Sequence, residues 1–142
     1  MKKIIIICLL LLTLGCSKKS ISVDKFKDIM RDNDYYVISI KDQFEEYEYI
    51  KEAYLARNNS INIEYYNMID TDNTDAFYDY NKDIIEAHKT KYDTYKEFSK
   101  KYTLATEDVY MVISCIDTTC IYVDTDIKNK DKVNNILKKL GY

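Results

Sequence analysis

The chain has 142 residues, enough for one domain with a substantial buried core. Its formal net charge is −3 at pH 7, with 21 Lys and Arg residues against 24 Asp and Glu residues. An acidic chain without a basic cluster argues against nucleic-acid binding, because attraction to phosphates requires a positively charged surface.

The first twenty residues combine a basic start, an apolar stretch and a Gly-Cys pair. Lys2 and Lys3 precede the apolar stretch 4–14, which only Thr13 interrupts. This length suits the core of a signal peptide, whereas a membrane-spanning helix needs about 20 residues. The segment therefore predicts an export signal. An ordinary secretory signal with an incidental Cys16 and an uncleaved anchor are the alternatives to the cleaved, lipid-modified signal described next.

Residues 12–16, with the sequence LTLGC, resemble the lipobox of bacterial lipoproteins, although Thr13 stands where Leu is commoner. In that family the Cys thiol carries a diacylglycerol, and the signal is cleaved just before the Cys. The resemblance implies a signal peptide over 1–15 and lipidation of Cys16 with acyl chains such as palmitate. It also implies a tether over 16–22 and an extracytoplasmic position at the cell membrane. Two acyl chains suffice for stable attachment.

Cleavage before Cys16 would leave 127 of the 142 residues. Loss of Lys2 and Lys3 would change the net charge from −3 to −5. Such a domain is mildly repelled by an anionic bilayer, so the lipid would hold it there. Size and layout resemble those of small lipoproteins from low-GC Gram-positive bacteria, and residues 23–142 are predicted to form one domain.

The first predicted element is a helix over 23–31. Phe26, Ile29 and Met30 share one face of this helix, and Ser22 is a candidate N-cap. Residues 35–40 are rich in aromatic and β-branched side chains, which predicts a strand.

A hairpin is predicted next, from strand-like segments at 52–57 and 61–66 around an Asn-Asn-Ser turn. Apolar and polar residues alternate along the second strand. This alternation predicts a sheet with one covered face and one face in water.

A long helix is predicted over 70–89, with Thr71 or Asp72 as its cap. Its predicted buried stripe consists of Ala76, Phe77, Tyr80, Ile84 and Ala87. Residues 90–100 are compatible with a longer helix or with a mobile linker.

Three strands and a helix complete the chain. The strands are predicted at 102–106, 109–116 and 120–125. The helix has an apolar stripe at Val133, Ile136, Leu137 and Leu140. Gly141 is expected to end this helix, with Tyr142 packing back onto Leu137.

The elements together predict an α+β fold, an antiparallel sheet with its helices on one face, in the order α-βββ-α-βββ-α. Residues 54–81 and 111–140 share the order strand, turn, strand, helix. This likeness fits either a weak internal repeat or a shared topology.

Cys115 and Cys120 flank the last predicted hairpin, and a disulfide is permitted outside the cytoplasm. With Thr118 and Thr119 as the turn, the two Cys residues would lie diagonally, near the limit for bridging. A four-residue loop would place them opposite each other. A disulfide and two separate thiols both stay open, and the spacing differs from the CxxC of redox enzymes.

Metal and cofactor sites are not expected. His88 is the single histidine, and zinc sites need several His or Cys ligands. The acidic segment 70–75 lacks the Gly and Glu of a calcium-binding EF-hand loop, because Asp75 and Asn81 occupy those positions. Nucleophile motifs and Gly-rich phosphate loops are absent from the sequence, so an enzyme is not expected.

The candidate contact residues lie in the predicted loop 41–49, where tyrosines alternate with glutamates. They are Glu45, Glu46, Tyr47, Glu48 and Tyr49. Exposed tyrosines beside carboxylates suit a basic peptide or a sugar, and the alternative is a solvated acidic loop. The sequence favours a non-catalytic module that binds an envelope protein, a peptide or a glycan. A structural subunit of an envelope complex and a small hydrolase are the alternatives.

Overall fold

The computed structural model describes residues 19–142, so the predicted signal peptide and Cys16 lie outside the described residues. Within this range three helices span Val23–Arg31 (α1), Thr71–Ala87 (α2) and Lys130–Leu140 (α3). Seven strands span Tyr36–Ser39 (β1), Ile50–Arg57 (β2), Asn62–Met68 (β3), Thr94–Phe98 (β4), Lys101–Ala105 (β5), Val109–Ile116 (β6) and Thr119–Asp126 (β7). Short 3-10 helices occupy Lys41–Phe44 and Ile127–Asn129.

All seven strands form one antiparallel sheet in the order β1-β2-β3-β7-β6-β5-β4. The middle strand is β7, which pairs with β6 on one side and with β3 on the other, where Tyr65 lies opposite Ile121. β1 and β4 form the two edges. The prediction of a mixed α+β fold with an antiparallel sheet is confirmed.

Helices cover both faces of this sheet, so the predicted one-sided arrangement is wrong. Phe26 of α1 and Leu137 of α3 belong to one apolar cluster, whereas Ile85 of α2 belongs to a second cluster on the opposite face. The reason is visible in β6, where Val112 contributes to the first cluster and Ile113 to the second. A strand with apolar residues on both sides requires cover on both faces.

The order of elements also differs from the prediction, because 90–100 contains β4 rather than a longer helix or a linker. Every residue of β4 is exposed, and the strand is held by its pairing with β5. The turn between them includes Ser99 with a φ of 53°. An exposed edge strand lacks the apolar alternation by which strands are recognised in a sequence.

The likeness between 54–81 and 111–140 does not correspond to a symmetric duplication. A two-fold axis that exchanges the antiparallel neighbours β3 and β7 is perpendicular to the sheet, and it would keep equivalent helices on the same face. The equivalent helices α2 and α3 instead lie on opposite faces. The two segments therefore share an order of elements and not a three-dimensional arrangement.

α1 has the predicted bounds and N-cap, and α3 ends as predicted. The Ser22 hydroxyl caps α1 by accepting a hydrogen bond from the Lys25 amide at 3.3 Å. Gly141 ends α3 with a φ of 90°, and the Tyr142 amide donates to the Leu137 carbonyl at 2.9 Å. This hydrogen bond closes the Schellman-type end that the sequence predicted.

α2 differs from its prediction at its cap and at its buried face. Asp70 is the cap, and its carboxylate accepts from the Asn73 amide at 2.8 Å. Hydrogen bonds from Asn73 lower the pKa of Asp70. The buried residues are Thr74, Tyr78 and Ile85, whereas Tyr80 of the predicted stripe is exposed.

Candidate functional site: an aromatic and acidic patch at one end of the sheet

The predicted acidic loop lies between β1 and β2, at the end of the sheet where β2 starts and β3 finishes. It opens with the 3-10 helix Lys41–Phe44, and Lys41 Nζ donates to the Phe44 carbonyl at 3.3 Å. The Ile69 amide, just after β3, donates to the Tyr49 carbonyl at 3.0 Å. These bonds hold the loop against the connection between β3 and α2.

Aromatic rings pack together around this loop. The Tyr47 and Tyr49 rings lie edge to face with centroids 5.7 Å apart. The ring centroid of Phe44 lies 6.3 Å from that of Tyr47 and 5.5 Å from that of Tyr66 on β3. The centroids of Tyr66 and of Phe77 on α2 are 4.7 Å apart. The loop therefore shares one aromatic cluster with the sheet and with α2.

Tyr80 of α2 is near enough to Tyr49 to influence the pKa of that residue. Burial raises the pKa of Tyr49, and the neighbouring phenols of Tyr47 and Tyr80 raise it further. Side chains of Tyr47 and Tyr80 are 46% and 67% exposed. We call this group the aromatic patch; its members are Phe44, Tyr47, Tyr49, Tyr66, Phe77 and Tyr80.

A half-buried carboxyl group lies beneath the aromatic patch. The Tyr66 hydroxyl donates to Glu64 Oε2 at 2.5 Å. Burial raises the pKa of Glu64, the hydrogen bond from Tyr66 lowers it, and the nearby Asp124 raises it. Burial also raises the pKa of Tyr66. The hydrogen bond to Glu64 holds the Tyr66 ring, which is a member of the patch, in place.

The carboxylates of Glu45, Glu46 and Glu48 lie in the exposed part of the loop. Ion pairs join Lys82 to Glu97, Lys100 to Asp75, and Lys128 to Asp126. None of these pairs involves the three glutamates, and Lys41 of the same loop donates to the Phe44 carbonyl. Their combined field attracts a cationic molecule to the aromatic patch.

The structure places the five residues that the sequence singled out in one loop, and it adds four aromatic residues to them. These are Phe44, Tyr66 of the predicted strand 61–66, and Phe77 and Tyr80, which were expected in the buried stripe of α2. The buried face of α2 consists of Thr74, Tyr78 and Ile85. A predicted stripe in this register would have placed Tyr80 outside the core.

Cys115 and Cys120 lie opposite each other in the β6–β7 hairpin, and the structure joins them in a disulfide. The turn residues are Asp117 and Thr118, one position earlier than Thr118 and Thr119. Asp117 adopts a φ of 50°, which Asp tolerates better than most residues. Of the two alternatives that the sequence left open, the structure contains the disulfide, because this turn places the two Cys residues opposite each other.

His88 is exposed at the end of α2, with Nδ1 2.9 Å from the Ile84 carbonyl oxygen. Over residues 19–142 no group of three or more His, Cys, Asp or Glu side chains is placed to hold a metal ion. In the same range no helix combines the length and the apolar character that crossing a membrane requires.

The chain was compared with protein-family models, with curated proteins and with solved structures. None of the three comparisons gives a match.

Proposed function

We propose that this protein is a lipid-anchored, extracytoplasmic interaction module without catalytic activity, which binds a cationic partner through its aromatic patch. The observation that carries the proposal is the edge-to-face contact of Tyr47 with Tyr49 in the same loop as three exposed carboxylates, none of which takes part in the ion pairs described above. Aromatic rings supply contact area, and phenol groups supply hydrogen bonds at the rim.

A cationic peptide segment matches this surface in two ways. Carboxylates steer Lys and Arg side chains towards the loop, and exposed rings accept the same side chains as cation–π partners. The protein uses this second contact within itself, since Lys27 Nζ lies 4.1 Å from the Tyr54 ring centre and Lys89 Nζ lies 3.7 Å from that of Tyr95.

Binding is tested with a fluorescein-labelled peptide of alternating Lys and Leu residues, followed by fluorescence anisotropy. The site variant is Glu45→Lys/Glu46→Lys/Glu48→Lys. We expect roughly 100-fold weaker binding, because each reversal replaces an attraction with a repulsion of similar size. The matched control is Asp32→Lys/Glu107→Lys/Asp108→Lys, which changes the net charge equally at the opposite end of the sheet.

A second set of variants, which removes tyrosine rings, distinguishes specific binding from general charge attraction. Tyr47→Ala/Tyr80→Ala should weaken binding about tenfold, because two ring contacts are lost. Tyr92→Ala is the control, since its ring is 89% exposed in the connection between α2 and β4, at the other end. Equal losses in site and control variants would contradict the proposal. No binding by the unmodified protein would favour a structural role instead.

A further inference from the structure

We infer that the end of the sheet carrying the aromatic patch lies next to the bilayer, and that the partner of the patch is a cationic segment of a second membrane-bound protein, close to the lipid surface. This inference rests on the proposed function, because it requires both lipidation of Cys16 and binding of a cation at the patch. It adds the direction from which the partner arrives and the class of protein that carries it.

The tether between the lipid and the folded domain is short. Three residues lie between Cys16 and Ser20, and the four steps from one residue to the next span about 14 Å at most. Ser20 already belongs to the domain, since its amide donates to Asp117 Oδ2 at 3.1 Å. The next residue, Ile21, is buried, and its carbonyl accepts from the Tyr65 hydroxyl at 3.0 Å.

Backbone contacts lead from this point to the aromatic patch. Asp117 and Thr118 form the β6–β7 turn, and the Thr118 carbonyl accepts from the Met68 amide at 2.7 Å. The following residue, Ile69, donates to the Tyr49 carbonyl at 3.0 Å. Only β3 lies between β7 and β2, so two strand spacings, about 10 Å, separate the turn from the start of β2.

The end of the sheet that receives the tether is therefore also the end that carries the patch. The turns at the opposite end lie at 58–61 and 106–108, a full strand length away from the tether. A strand of eight residues, such as β2, is about 27 Å long. A partner that reaches the patch must approach within a short distance of the bilayer, where membrane-bound proteins present their flanking segments.

Charge favours a protein segment over the lipid itself as the occupant. Glu45, Glu46 and Glu48 are joined at this end by Asp70 and Asp72, which precede and begin α2. Lys100 at the same end is paired with Asp75. These carboxylates repel anionic headgroups, whereas they attract the Lys and Arg residues that flank membrane-spanning helices.

The test compares two tethers in vesicles of neutral phosphatidylcholine that contain the lipidated full-length protein. One is the native tether, and the other carries a flexible Gly/Ser insertion of about 20 residues after Ser17. The probe is the Lys/Leu peptide placed directly outside a single membrane-spanning helix, and binding is measured by energy transfer. The longer tether should weaken binding roughly 15-fold, because effective concentration falls with the 3/2 power of length.

Two controls identify the cause. The soluble peptide should bind both tether variants equally, which shows that the insertion leaves the patch intact. A probe with its cationic segment held far from the bilayer by a long spacer should favour the longer tether.

The outcomes are distinguishable. Equal binding of the membrane-bound probe by both tethers, together with normal binding of the soluble peptide, would overturn the inference and leave the proposed function standing. Failure to bind either peptide, or unmodified Cys16 in the mass spectrum, would overturn the proposed function. Patch-dependent binding of the Cys16→Ala protein to phosphatidylglycerol vesicles without a probe would show that lipid is the occupant, which also overturns the inference.

Discussion

At the scale of single residues, Glu64 shows how the sheet supports the aromatic patch. Its carboxyl group is half-buried on β3, beside Tyr66 and near Asp124 of β7. Burial raises its pKa more than the Tyr66 hydrogen bond lowers it. The folded protein therefore binds a proton at Glu64 more tightly than the unfolded chain does, and the protonated form is the better fit to this position.

Glu64→Gln should therefore change how stability depends on pH. In the unmodified protein, the contribution of Glu64 is fully present below the unfolded-state pKa of about 4.3 and is lost as the pH rises through the raised folded-state pKa. Gln keeps an acceptor for Tyr66 but does not ionise. Urea unfolding should find the variant more stable at neutral pH, with the advantage disappearing at acid pH.

The control for this experiment is Glu107→Gln, at an exposed position in the β5–β6 turn. It should show no comparable pH dependence. An advantage for Glu64→Gln that is equal at acid and neutral pH would contradict the assigned role of burial.

At the scale of elements, the structure differs most from the sequence-based prediction at a turn, between β6 and β7, and at an edge strand, β4. Strands β2, β3, β6 and β7 were predicted from β-branched and aromatic residues, and helix caps from Ser22 and Gly141. The β6–β7 turn was misplaced by one residue because the chain has only two Gly residues to mark turns. Asp117 takes the left-handed position instead, and that choice brings Cys115 opposite Cys120.

The disulfide should stabilise this hairpin only modestly, because it closes a short loop. A sequence separation of five residues corresponds to about 2 kcal/mol of loop-closure entropy. Chemical reduction should lower the free energy of unfolding by that amount in a denaturant titration. The Cys115→Ala/Cys120→Ala protein is the control, and its stability should not respond to the reductant. An unmodified protein that is equally insensitive would show that the bridge is not formed.

At the scale of the whole molecule, one sheet separates two apolar clusters. The α1/α3 side contains Leu137 among its fully buried residues, and the α2 side contains Ile85. Neither cluster is an independent domain, because the strands of the same sheet provide the floor of both. We expect the domain to unfold as a single cooperative unit.

Leu137→Ala and Ile85→Ala test this expectation from the two sides. Each should destabilise the protein by about 2–5 kcal/mol, since each leaves a cavity in a closely packed region. The clusters lie on opposite faces, so the double variant should show nearly additive losses. Far-ultraviolet and tyrosine near-ultraviolet circular dichroism should report the same midpoint. Different midpoints from the two probes within either variant would contradict a single cooperative unit.

The sequence by itself determined the α+β class, the caps of α1 and α3, the β2–β3 hairpin and the tyrosine-glutamate loop. These features depend on neighbouring residues, and local periodicity and capping chemistry report them directly. Tertiary structure decided which sheet face each helix covers, how β4 joins the sheet, and that Tyr66 of β3 contacts both Phe44 of the loop and Phe77 of α2. The physical reason is that strand pairing and two-sided burial join residues far apart in the chain, so β6 and α2 acquire their partners only when the sheet assembles.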